Sequence, residues 1–286
     1  MTARYQIHSH IAVITIDNPP INSMGLATRQ GLDTSLKRAI ADSDVQGIII
    51  TGAGGVFSGG ADIREFGKAV AMQSPTLHDL IRACEASPKP VIAAINGVCM
   101  GGGTEISLGC HYRVAAPAAM IGLPEVKIGI LPGAGGTQRL PRLAGVELAL
   151  DMIVSGDAVK SELLARTRAL DKLIAGDFLM GALAFTTSVI AIGAKLPRVR
   201  DMTIDMPYAA AFFAEARAKV SAASKHFPAP LKCVDAVEAA VLRDIDDGLE
   251  YEFQLFSELV ATAESAALRH AFFAERAASK IVDVAA

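Results

Sequence analysis

The chain has 286 residues, 51% of them hydrophobic, and a formal net charge of -3 with acids and bases interspersed. That size holds one large domain or two smaller ones around a sizeable core, and with no long basic run it argues against a nucleic-acid partner. The four cysteines (Cys84, Cys99, Cys110, Cys233) form no CxxC pair and the six histidines no HExxH, which argues against a disulfide framework or a metal site and leads to a reducing compartment, with the cytoplasm as the expected location.

In chain order, MTARYQIHSH carries no charged-then-apolar signal pattern. Tyr5 to His8 and Ile11 to Ile16 read as two short strands, the second apolar throughout and therefore central. Asn18-Pro19-Pro20 stops it. Leu26 to Ala41 reads as an amphipathic helix with Leu32, Leu36 and Ile40 on one face, and Gln46 to Thr51 as a buried strand. Thr51 to Ile63 holds five glycines and is expected to be loop. It suits both a tight turn and a close approach of backbone to a ligand, but it has neither a P-loop ending nor the dinucleotide spacing.

Ser74-Pro75 reads as a helix start, serine as cap and proline in the first turn, with Leu77, Leu80, Ile81 and Cys84 on the apolar face. Ser87 to Pro90 ends that helix and Val91 to Ile95 is a third buried strand. The alternation of strand and helix predicts an α/β fold with largely parallel pairing. Gly97, Gly101, Gly102 and Gly103 then lead into a helix expected near Thr104, whose first amides are free to receive an anion or a developing oxyanion. Tyr112 to Ala115 is a short strand, Ile121 to Glu125 follows, and Gly129 to Gly136 is a second glycine-rich turn.

From about Gly145 helical periodicity takes over, with helices expected at Val146–Ser155, Ser161–Arg168 and Asp177–Ala194. The last has no charge from Phe178 to Ala194, falls short of the roughly 20 apolar residues of a membrane span, and is expected to be a largely buried helix. Pro197 to Pro207 looks like a linker. Four further helices are expected at Tyr208–Lys225, Leu231–Leu242, Leu249–Thr262 and Ser265–Ser279, with Phe212-Phe213 and Phe272-Phe273 as core anchors. The closing DVAA carries no recognised targeting signal.

Two glutamates stand out. Glu105 sits at a helix start, where it is either a partner of the helix dipole or an active-site carboxylate. Glu125 lies in apolar surroundings, IGLPEVKIGI, as either a surface neighbour of Lys127 or a functional group. With two glycine-rich amide sources nearby, the pair fits acid–base work on a carbonyl polarised by amides.

The stretches FSGGADI (57–63), KPVIAAINGVCMGGGTE (89–105) and LPEVKIGILPGAGGTQRLPRLAG (123–145) resemble, in order and spacing, the enoyl-CoA hydratase (crotonase) family. The resemblance implies a crotonase-like spiral of ββα units in 1–196, followed by an all-helical C-terminal region in 197–286. It places the oxyanion amides at Ala61 and Gly102, and the coenzyme A contacts at Gly59, Ala61, Asp62, Ile63 and Arg64. Glu105 and Glu125 fall on the two hydratase carboxylates, and Gly133 on the turn beside the catalytic water. The implied reaction is hydration of a trans-2-enoyl-CoA, with Δ3-Δ2-enoyl-CoA isomerisation or a catalytically silent acyl-CoA-binding module as alternatives. The acyl-CoA thioester is the substrate; no metal, no separate cofactor and no membrane partner is expected.

His111 stands where many single-function hydratases carry aspartate. FAEARAKV (213–220) and RHAFFAERAASK (269–280) resemble the multifunctional β-oxidation enzymes, in which a dehydrogenase part follows. No strand–GxGxxG–helix unit follows Lys280, so NAD is not expected to bind here, and the chain reads as the N-terminal segment of a longer protein. Single-function members resemble trimers, but the helical tail would cover the trimer surface, which leaves homo-oligomerisation open.

Overall fold

A computed structural model describes residues 2–224 and 226–278. The expected helix ends at Lys225 and Ser279, the last residues of the 269–280 stretch and the closing DVAA lie outside the described residues.

The chain opens with β1 (Ala3–His8), β2 (Ile11–Ile16) and α1 (Leu26–Ala41). Three ββα turns follow: β3 (Gly47–Gly52), β4 (Val56–Ser58) and α2 (Leu77–Glu85); β5 (Val91–Ile95), β6 (Val98–Met100) and α3 (Gly102–Gly109); β7 (Tyr112–Ala115), β8 (Met120–Gly122) and α4 (Gly136–Ala144). The first strand of each pair joins one sheet, in the order β1-β2-β3-β5-β7-β10, and the second joins another, in the order β4-β6-β8-β9. This is the expected spiral. In the larger sheet pairing along β2-β3-β5-β7-β10 is parallel and β1 runs against β2; in the smaller sheet β9 runs against β8.

The strands read as continuous apolar runs because both faces of the larger sheet are covered. Ala12, Ile14, Ile48, Ile50 and Ala93 point into the main core. Ile11, Val13, Ile49, Ile92, Ala94 and Val114 point the other way, beneath α7 (Phe178–Ile192). Between the spiral and α7 lie α5 (Val146–Ser155), β9 (Val159–Lys160), α6 (Ser161–Leu164) and β10 (Lys172–Leu173). The helix expected to run to Arg168 ends at Leu164, in a turn closed by the Thr167 hydroxyl on the Leu164 carbonyl at 2.7 Å.

Four expectations are corrected. β4 lies inside the glycine-rich run read as loop, paired in parallel with β6. The helix expected at Ser74-Pro75 is capped two residues later than Ser74, where Thr76 and Asp79 form a reciprocal capping box. α7 is not largely buried: Ala182, Leu183 and Thr186 cover the sheet, while Met180 and Ile192 are 60% and 73% exposed because no described element packs outside them. Among the described residues no helix is long and apolar enough to cross a membrane. The stretch read as a linker is packed: Val199 and Met206 are buried in the main core, and Arg142 Nε donates to the Met202 carbonyl at 3.1 Å.

The tail helices are α8 (Ala209–Ala223), α9 (Pro228–Leu242), α10 (Ile245–Val260) and α11 (Ala263–Ala278). Phe213 is a fully buried core anchor as expected. Of the Phe272-Phe273 pair, Phe272 packs against the main core and also lines the central cleft, whereas Phe273 is 38% exposed and is not a core anchor. All four cysteines are free and buried.

Candidate active site

The glycine triplet places the site. α3 begins at Gly102, two residues before the expected start, so the Gly102 N–H occupies the first helical position and has no intrahelical acceptor. Gly101 turns the chain with φ +53, and a Cβ there would stand 3.0 Å from Glu125 Oε1; only glycine meets both conditions. The buried Thr104 hydroxyl lies 2.9 Å from the carbonyls of Cys99 and Gly122 and ties the helix start to β6 and β8.

Across from it, the Ser58 hydroxyl accepts the Gly60 N–H at 3.0 Å and Met24 N–H donates to the Gly60 carbonyl at 2.9 Å, which fixes the turn before Ala61. A Cβ on Gly102 would lie 3.2 Å from Ala61 N. Among the described residues neither the Ala61 nor the Gly102 amide has a protein acceptor. Two free N–H groups therefore border one gap in a cleft of about 1660 Å³, the arrangement an oxyanion needs.

Both glutamates line the same cleft. Glu105 is 3% exposed, and its Oε1 accepts the amides of Ala134 at 2.7 Å and Gly136 at 3.0 Å. Burial pushes its pKa up, while those two N–H groups and the charge of Arg139 favour the ionised form. The carboxylate is thus not a mere dipole partner of its own helix; its bonds go to a distant turn. Glu125 sits in a short 3-10 helix, Pro124–Ile128. Lys127 turns away to Asp157 at 2.7 Å, so Glu125 is not its surface partner, and Glu125 Oε2 is buried without a hydrogen-bond partner. Burial, then the Glu105 charge and more weakly that of Glu252, raise its pKa well above the carboxylate range. Burial raises both carboxyl groups; at Glu105 two amides and Arg139 oppose the rise, whereas at Glu125 the neighbouring carboxylates add to it.

A sequence profile described as Enoyl-CoA hydratase/isomerase matches residues 6–187. The chain belongs to the enoyl-CoA hydratase/isomerase family. Among family relatives it is 40% identical to a peroxisomal bifunctional enzyme of Danio rerio and 39% to that of Homo sapiens, over 97% and 96% of this chain. A peroxisomal fatty acid beta-oxidation multifunctional protein of Arabidopsis thaliana is 36% identical over 96% of it. The chain spans only 38% to 39% of the length of these relatives. A crystal structure of an enoyl-CoA hydratase from Bacillus anthracis superposes with TM-score 0.62 at 27% identity, covering 96% of this chain and 97% of that one. One from Mycobacterium avium subsp. paratuberculosis, at 22% identity and TM-score 0.69 over 96% of each chain, shares the fold.

Of the positions the family resemblance singled out, Gly59, Ala61, Asp62, Ile63, Gly102 and Gly133 line the cleft with the two glutamates. Arg64 is not on the cleft wall. Its guanidinium is drawn back onto Asp62 at 2.6 Å and 2.8 Å, with the side chain 71% exposed, because the same carboxylate caps the 3-10 turn Ile63–Glu65. His111 is a core residue: its Nδ1 accepts the Val91 N–H at 3.0 Å, and burial lowers its pKa to about 4.

The tail contributes groups the motifs did not reveal. Phe253 and Phe256 of α10 stack at 6.5 Å and meet His78 and Phe66 edge-on at 5.7 Å and 5.9 Å. The Phe256 ring fills the space a side chain at Gly133 would need. Behind this wall Glu252 is fully buried, accepting Gly135 N–H at 2.6 Å, Thr137 N–H at 3.0 Å and the Thr137 hydroxyl at 2.5 Å. Its signal is in the sequence: it shares the buried face of α10 with Ile245, Gly248, Leu255 and Leu259, a glutamate where the spacing calls for an apolar residue.

Proposed function

We propose that this chain hydrates trans-2-enoyl-CoA thioesters to 3-hydroxyacyl-CoA. The observation that carries the reading is the pairing of Glu105, whose Oε1 accepts two amides, with Glu125, whose Oε2 has no partner, in one cleft beside two unpaired N–H groups. The thioester oxygen lies between the Ala61 and Gly102 amides, which take up charge as it becomes an enolate oxygen. Both carboxylates hold one water. Glu105 removes a proton from it as its oxygen bonds to C3, the C2–C3 π electrons move toward the thioester, and Glu125 delivers its proton to C2. One water is consumed, and the proton gained by Glu105 replaces the one lost by Glu125. Environments that push two carboxyl groups apart in this way assign base and acid.

Gly59, Asp62 and Ile63 are the positions we assign to the coenzyme A portion, since they line the cleft next to Ala61. Relatives named bifunctional are much longer than this chain. A 3-hydroxyacyl-CoA dehydrogenase, in the same polypeptide or beside it, is the activity that would consume the product. The family description also covers isomerases; proton exchange at C2 and C4 of a 3-enoyl-CoA reads that reaction separately. The test of hydration is loss of the conjugated-enoyl absorbance when crotonoyl-CoA meets micromolar enzyme. A silent binding module leaves that absorbance unchanged.

A further inference from the structure

The turn that holds Glu105 is itself held from behind. Its four successive amides are shared in alternation between two buried carboxylates: Ala134 and Gly136 donate to Glu105 Oε1 at 2.7 Å and 3.0 Å, while Gly135 and Thr137 donate to Glu252 Oε1 and Oε2 at 2.6 Å and 3.0 Å. The first set faces α3 and the cleft; the second faces α10. Glu252 is 0% exposed and is not among the residues lining the cleft.

The close approach of α10 to α4 is built in. A Cβ at Gly248 would overlap Gln138 Oε1, and Gln138 Nε2 donates to the Thr137 hydroxyl at 2.9 Å and to the Ala236 carbonyl of α9 at 2.8 Å. The Thr137 hydroxyl passes its own proton toward Glu252 Oε2 at 2.5 Å. The first turn of α4 is therefore gripped by α9 and α10, and Glu252 is the group that grips its amides.

We propose that Glu252 is a positioning residue: it clamps the 134–137 turn so that the Ala134 and Gly136 amides fix Glu105 Oε1 and leave the other Glu105 oxygen aimed at the reacting water. Its catalytic consequence rests on the hydration reading above. The C-terminal helices are then part of the active site's construction, although Glu252 never meets the substrate.

Glu252→Gln tests this. Both Glu252 oxygens face backbone N–H donors, so whichever way the new amide turns, its NH2, with two hydrogens where a carboxyl group carries at most one, opposes one of them. For the folded variant we expect kcat for crotonoyl-CoA hydration to fall about 10- to 100-fold, the usual cost of releasing an orienting partner, with KM near the wild-type value. Combined with Glu105→Gln it should cause no further loss, because it acts through that carboxylate. Hydrogen–deuterium exchange in the 131–138 segment should accelerate in Glu252→Gln. Thr137→Val, which removes one bond to Glu252, should lower kcat in the same sense, and Thr137→Ser should restore it. Wild-type kcat and exchange in a folded Glu252→Gln, the same fractional loss in the Glu105→Gln background, or an unaltered Thr137→Val would each overturn the proposal. Faster exchange in a protein whose wild type hydrates nothing would retain the clamp and remove the hydration reading.

Discussion

Glu105 and Glu125 share burial and differ in partners, and in the proposed reaction that difference assigns one as base and the other as acid. Two amides make the Glu105 anion affordable in a buried site; Glu125 has an orphaned oxygen and a like-charged neighbour. Rate should therefore require Glu105 ionised and Glu125 protonated. Burial raises both pKa values, so kcat/KM should form a bell: it falls on the acid side as Glu105 takes up a proton, above the ordinary carboxylate range, and on the alkaline side as Glu125 loses one. The limbs belong to the coupled pair. Removing the acid with Glu125→Gln should abolish the alkaline limb; an unchanged alkaline limb would mean that another group donates to C2. Both residues were legible in the sequence because glycine-rich motifs flank them. Glu252 was not, since no motif marks it, and only its place on the apolar face of α10 betrays it. Arg64 shows the converse: the motif singles it out, but a neighbouring Asp62 decides where its side chain goes.

The elements that read clearly from sequence are those whose apolar pattern is uninterrupted. β2, β5, β7, α1 and α5 fall on their expected bounds. β4 and β6 escaped because each spans three residues between glycines, too short for a periodic signal. α4 escaped because its sequence starts in a glycine turn and contains Pro141; its stability comes from partners instead. One is the buried pair between Arg139 of α4 and Glu85 of α2, 2.9 Å apart and 2% and 3% exposed. Glu85→Gln would leave the guanidinium buried without its counter-charge and should cost about 3–5 kcal/mol. Urea denaturation reads this; a loss under about 0.5 kcal/mol, the range of surface substitutions, would show that the pair does not join α2 to α4.

At the scale of the molecule, the spiral supplies the carboxylates and amides while the tail supplies a wall of the cleft and the clamp behind it. This concentrates Glu105, Glu125 and Glu252 in one buried region, together with the Cys233 thiol, whose pKa is pushed up by burial and then by the charges of Glu125, Asp235 and Glu252. The Glu252 pKa is raised to about 8, by burial first and then by the Glu105 charge. The unfolded chain releases the three glutamate protons in the ordinary carboxylate range, whereas the folded chain keeps them to higher pH. Stability should therefore fall as pH rises from about 5 to 8, as followed by Tm, and Glu252→Gln should flatten that slope. An equally steep slope in the variant would place the proton uptake elsewhere.

The most direct measurement of the central claim is the initial rate of crotonoyl-CoA hydration by the wild type, Glu105→Gln and Glu125→Gln, each shown folded by circular dichroism. The account predicts ready loss of the enoyl absorbance with the wild type and a fall of about 10²- to 10⁴-fold in kcat with each variant, the usual contribution of a positioned acid or base. A wild type that leaves the absorbance untouched, or glutamine variants that keep the full rate, would contradict it.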